Sequence, residues 1–166
     1  MERHNGLVIA LSNLITGFVV LLAAVVAGPW FQEEEKPKTK PSGTIEQPRN
    51  PGVGERTEFT GEVHDLPRGY AIWAFVRDVN GGQFYPKYSA CGVQGDEWDC
   101  GSLRVGTEGT LDKESDLKAV LVSAEGVAQI MEYVIDVEYR EVRNEGMKAL
   151  PAGSTVLDSL RVTRVR

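Results

Sequence analysis

The residues able to carry chemistry are few in this chain, and their spacing limits what they can do. Cys91 and Cys100 are the only cysteines and enclose Gly-Val-Gln-Gly-Asp-Glu-Trp-Asp. Eight intervening residues match neither the C-x-x-C of a redox dithiol nor that of a zinc knuckle. Two thiolates alone leave a zinc site incomplete. In an oxidising compartment the pair is expected as a disulfide, whose closed loop of about ten residues contributes ~2.5–3 kcal/mol. In a reducing compartment it reads as two small buried thiols.

The two histidines, His4 and His64, lie on either side of a long apolar run. A site built on several histidines is therefore not expected. His64-Asp65 reads as a surface pair beside a turn; its chemical alternative is a hydrolytic dyad. There is no G-x-S-x-G elbow and no G-x-x-x-x-G-K-S/T loop, so neither a nucleophile nor a phosphate cradle is encoded locally. Asp96, Glu97 and Asp99 cluster, as do Asp112, Glu114 and Asp116. Carboxylates at alternating positions suit calcium. Here Trp98 interrupts one group, neither has EF-hand spacing, and both read as solvated acidic turns. No enzyme, metal or cofactor is expected.

Aromatic residues offer a second kind of chemistry. Phe84, Tyr85, Tyr88 and Trp98 surround the cysteine loop. Exposed rings stack on sugars or pack on a partner. Tyr85 and Tyr88, with the nearby acids Asp96 and Glu97, form the candidate binding surface. The competing reading puts Phe84 and Trp98 in the core with the tyrosine hydroxyls at the surface.

These residues need a scaffold. Behind a six-residue tail (1–6), residues 7–27 read LVIALSNLITGFVVLLAAVVA without a charge. As a helix this segment is ~30 Å long, enough to cross a bilayer's hydrocarbon core. Trp30 follows at the position of a headgroup anchor. A cleaved signal peptide is the alternative, but the run exceeds the usual apolar region of ~7–15 residues. A single-pass anchor in the cell membrane is the expectation. Lys36, Lys38 and Lys40 argue for a cytoplasmic C-terminal side; the short tail and the cysteine pair argue for an extracytoplasmic one, which is favoured.

Residues 28–56 contain a Pro-, Gly- and charge-rich stretch that reads as a stalk. Residues 57–166 read as the domain. They carry 18 acids and 12 bases, and hold the whole net charge of −6. Without a basic stripe, nucleic acid is not an expected partner. TEFTGEVHDL (57–66) alternates like a half-buried strand. YAIWAFV (70–76) is apolar on both parities and suits a central strand. FYPKYSA (84–90) carries Pro86, which suggests an edge or a bulge. DEWDCGSLRVG (96–106), LKAVLVSA (117–124) and STVLDSLRVTRV (154–165) complete the strands. Residues 125–143 instead place apolar side chains at 127, 130, 131, 134 and 135, the stripe of an amphipathic helix. The expected fold is a mainly β, antiparallel sandwich with one late helix.

The segments GEVHDLPRGYAIWAFVRD, NGGQFYPKYSAC, EWDCGSLRVG, LPAGS and RVTRV resemble an extracytoplasmic module of uncharacterised actinobacterial proteins, often found after a membrane span. The resemblance runs through nearly all of residues 57–166. It implies an Ig-like or fibronectin-like sandwich and no established activity. The functional expectation is a membrane-anchored binding or scaffolding domain with a protein or cell-wall partner, or the same domain secreted after cleavage.

Overall fold

The structure, a computed structural model, describes residues 40–106, 108–140 and 145–166. The apolar segment 7–27, and with it the expected contact with a bilayer, lies outside the described residues. Among those described, no helix is long and apolar enough to cross a membrane.

Nine strands and one α-helix lie among the described residues: β1 (Ser42–Gln47), β2 (Gly52–Val53), β3 (Arg56–His64), β4 (Ala71–Asp78), β5 (Phe84–Pro86), β6 (Gly92–Gln94), β7 (Glu97–Arg104), β8 (Glu114–Val122), α1 (Ala124–Tyr139) and β9 (Thr155–Arg164). They form a four-stranded sheet, β1-β3-β7-β6, and a five-stranded sheet, β2-β9-β8-β4-β5. The first is antiparallel. The second is mixed, because β2 runs parallel to β9.

The expected central strand accounts for the layering. In β4, Ile72, Ala74 and Val76 face the other sheet and join Phe59, Val63, Trp98, Leu103 and Leu117 in one core. Trp73 and Phe75, on the opposite parity, join Val120 and Val122 in a second core. Ile130 and Val134 of α1 cover that second face. Strands buried on both faces need cover on both, as alternation of side chains across a strand requires. The result is three layers: sheet, sheet, helix.

Two expectations are corrected. The stalk assigned to residues 28–56 is not unstructured throughout: β1 pairs with β3 from Ser42↔His64 to Gln47↔Thr60, and β2 pairs with β9. Polar composition hid this, because β1 is held chiefly through its backbone. Ile45 is its one aliphatic contact with the core, and the Ile45 amide donates to Asp158 Oδ2 at 2.8 Å. The helix expected over 125–143 runs from Ala124 to Tyr139, and Ser123 caps it by accepting from the Gly126 amide. Its apolar stripe is only partly covered. Ile130 and Val134 are buried, whereas Met131 and Ile135 are about two-fifths exposed. The helix is rotated so that residues 130 and 134 meet the sheet, with 131 and 135 at the rim. Asp136 and Arg140 form the expected i,i+4 pair, at 2.6 Å.

Pro86 does sit on an edge strand, since β5 ends its sheet. Beyond it the chain follows β4 a little further: the amides of Lys87 and Cys91 donate to Ala74 O and Ile72 O. It then crosses to the other sheet as β6. The Cys91–Cys100 disulfide is present, with both residues buried. One end lies against β4 and the other in β7, so the bond ties the sheets together where the chain changes from one to the other.

Gly61 faces Trp98 across the β3–β7 pair. A Cβ there would stand 2.5 Å from Trp98 Cζ2 and collide with the Thr44 carbonyl. The indole can then lie flat over the strand, its Nε1 donating to Glu62 O at 2.9 Å and its ring 5.2 Å from Phe59. Gly61→Ala is expected to cost ~1–3 kcal/mol through overpacking, read as a lowered urea midpoint; an unchanged midpoint would contradict this packing. Reduction of the disulfide is expected to remove ~2.5–3 kcal/mol. Matching urea midpoints with and without reductant would show that the bond contributes nothing to stability.

Candidate functional site

The sandwich is open along one flank because two strands are short. β6 pairs only with Glu97, Trp98 and Asp99 of β7, which leaves the Ser102–Arg104 half of that edge without a strand partner on this side. On the facing sheet β5 spans three residues. A cleft of about 640 Å³ lies between them, with Leu103 and Val105 on one side and Val76, Tyr85 and Pro86 on the other.

Three tyrosines form one wall: Tyr85 from β5, Tyr88 just beyond it, and Tyr133 from α1. Burial, with the neighbouring Tyr85 and Tyr88 adding to it, pushes the Tyr133 hydroxyl up to about 12. Tyr133 is therefore a neutral phenol at any physiological pH. The Glu138 carboxylate beside its hydroxyl, and then burial, hold Tyr88 above the usual phenol range. Tyr88 is still 51% exposed and presents its ring at the mouth.

The lining is cationic. Five side chains lining the cleft are basic, namely Arg56, Lys87, Arg104, Lys113 and Arg164, and two are acidic, Asp78 and Glu114. This reverses the balance of the domain as a whole, where acids outnumber bases 18 to 12. Arg104 is committed to Glu55 at 3.1 Å. Arg164 is not committed in this way. It is the last residue of β9 and is only 8% exposed, and neither Nε nor Nη1 has a hydrogen-bond partner. Its backbone is fixed on both sides, accepting from the Asp112 amide at 2.8 Å and donating to Lys113 O at 3.0 Å. A buried guanidinium with open donors is costly unless something pairs with it.

The candidate binding surface is divided by the fold. Tyr85 and Tyr88 line the cleft together. Asp96 and Glu97 do not join them: they lie at the β6–β7 hairpin, the opposite end of β7 from Arg104 and roughly 20 Å away at ~3.3 Å per residue. There Asp96 stands 3.9 Å from the His64 imidazole, as does Glu62, all on exposed surface. Asp65 adopts a positive φ of 57° in the turn after β3. Asp99 is used locally, accepting from the Gly101 amide.

The second acidic group is also dispersed. Asp116 is 7% exposed and lies on the outer face of the five-stranded sheet, in register with Arg77 of β4 and Arg161 of β9. Arg161 Nε donates to it at 3.0 Å and Arg77 Nη1 at 3.3 Å. Arg77 in turn lies over the Phe84 ring at 5.7 Å. A carboxylate held between two guanidiniums is a structural ion pair whose charge is already matched. Among the described residues no three of His, Cys, Asp and Glu are grouped to hold a metal ion.

Arg164 and Tyr133 were not singled out from the sequence as site residues. Arg164 had a signal: it shares the parity of Leu160 and Val162, both packed in the core, so an inward-facing charge could be read from RVTRV. Tyr133 had none, because its role depends on where α1 lands. Comparison with known proteins finds no matching family model, no similar curated protein and no matching solved structure.

Burial alone would raise the Asp116 carboxyl, but the hydrogen bond and charge of Arg161, with Lys118 and Arg77, hold it below the usual range. A depressed carboxylate contributes stability above its unfolded value of ~3.9, and that contribution is lost as pH falls through the folded value. Asp116→Asn is expected to lower stability at pH 7 by ~1.5–3 kcal/mol and to flatten the acid limb of the stability profile below about pH 5. An acid limb as steep as the parent's would locate that titration elsewhere.

Proposed function

We propose that this chain is a non-enzymatic, single-pass membrane protein that presents an Ig-like sandwich outside the cell and binds a small ligand in the flank cleft. The cleft carries the binding reading. Its volume falls within the ~300–1,000 Å³ typical of small-molecule sites, and its walls combine apolar surface, tyrosine rings and a few convergent polar groups. The resemblance to actinobacterial extracytoplasmic modules belongs to the same proposal. So do the membrane span, which the uncharged run 7–27 supports, and the outward orientation, which the six-residue tail and the disulfide support, since such bonds persist in oxidising compartments.

The ligand class that fits is a cell-wall saccharide or short peptide, whose rings or side chains can lie on the tyrosines. A secreted form of the same domain would bind in the same way.

Two measurements test this. Protease added to intact cells is expected to remove a C-terminal tag; a tag that survives until lysis would place the domain inside. Calorimetric titration of the full chain in detergent micelles with solubilised cell-wall fragments is expected to give saturable binding that Tyr88→Ala weakens at least tenfold. Equal affinity in parent and variant would remove the tyrosine wall from the binding site.

A further inference from the structure

Within the cleft reading, Arg164 decides what kind of ligand enters. We infer that Arg164 is an anion receptor, and that the ligand bound in the flank cleft carries an acidic oxygen group, carboxylate or phosphate, beside a ring or apolar face.

The burial of Arg164 and the make-up of the cleft converge on this. Arg164 is more than nine-tenths buried, and its Nε and Nη1 have no hydrogen-bond partner. It makes no ion pair with a described carboxylate, whereas Arg77, Arg104, Arg140 and Arg161 each do. It lines a cleft whose basic side chains outnumber its acids five to two, in an acidic domain. A surface guanidinium can be left to water. A buried one cannot, because desolvation without a partner costs several kcal/mol. Such a cost is tolerated where strain is held for function, and a ligand anion in the cleft would relieve it by supplying charge-assisted hydrogen bonds.

The two other polar features set the geometry. Arg164 lies where β9 ends, its backbone held by that of residues 112 and 113, so the root of the side chain is fixed before the ligand arrives. Tyr85, Tyr88 and Tyr133 line the same cleft. The acid end of a ligand is thus received at Arg164, and its ring or side chain lies against Tyr85 and Tyr88. Lys113 and Arg56 add long-range attraction, which makes the association sensitive to salt.

The removal of an unpaired buried charge also has a predictable structural effect. Arg164→Gln deletes no hydrogen bond or salt bridge made by the parent side chain. It is expected to fold with a urea midpoint equal to the parent's or higher. A guanidinium serving as a structural strut would instead lower it, and that result would overturn the assignment.

The test uses the full chain in detergent micelles, titrated with two sets of probes. One is glucuronate, glucose 6-phosphate and glucose; the other is an N-acetylated dipeptide with a free or amidated C-terminus. Charged members are expected to bind at least tenfold tighter than their neutral counterparts in the parent, and to lose that advantage in Arg164→Gln. The set that responds identifies the source of the acid, sugar or peptide. Binding that weakens in Tyr88→Ala but is indifferent both to probe charge and to Arg164→Gln would overturn the anion receptor and leave the cleft reading standing. Binding of cell-wall fragments that neither variant affects would remove both.

Discussion

Two strands that are apolar on both faces, β4 and β8, dictate the architecture. Trp73 and Phe75 point one way while Ile72, Ala74 and Val76 point the other. Burial of each large apolar side chain contributes ~1.5–3 kcal/mol, so neither face can be left in water without a loss comparable to the ~5–15 kcal/mol stability of a whole domain. The four-stranded sheet covers one face and α1 the other. Strand order, helix placement and the cross-sheet disulfide all serve that requirement.

The same requirement explains where the domain stays open. Covering the two faces of β4 and β8 takes up β3, β7 and α1. The short strands β5 and β6, three residues each, are where the chain crosses between sheets, and they do not close the flank. The cleft is therefore a by-product of the crossover, with Tyr85 and Tyr88 placed in it by β5 and the segment that follows. The disulfide fixes that crossover at Cys91, close in sequence to the tyrosine wall. Structure and candidate site thus depend on one short segment, residues 84–91.

Charge is divided between two roles. Asp116 is a buried acid held between Arg77 and Arg161, and it fastens three adjacent strands across the outer face. Arg164 is a buried base with open donors at the other side of the same sheet. Both are inward or covered charges on β-strands, and composition treats them alike. Only their partners distinguish the acid that is paired on both sides from the base whose Nε and Nη1 are unpaired.

The sequence by itself determined the periodicities: the double-faced β4, the alternating β3 and β9, and the amphipathic stripe of the helix near 125–143. These follow from local alternation and spacing, and local patterns are visible in a chain read residue by residue. Tertiary structure alone decided the rest. It recruited Ser42–Gln47 from an apparent stalk into the sheet, because strand pairing uses backbone groups that every residue carries. It sent Asp96 and Glu97 to one end of β7 and Tyr88 to the other, because neighbours in sequence diverge along an extended strand at ~3.3 Å per residue. It brought Tyr133 to Tyr85 and Tyr88, and left Arg164 without a partner. Proximity between residues distant in sequence depends on how the layers pack, and no window of sequence contains that information.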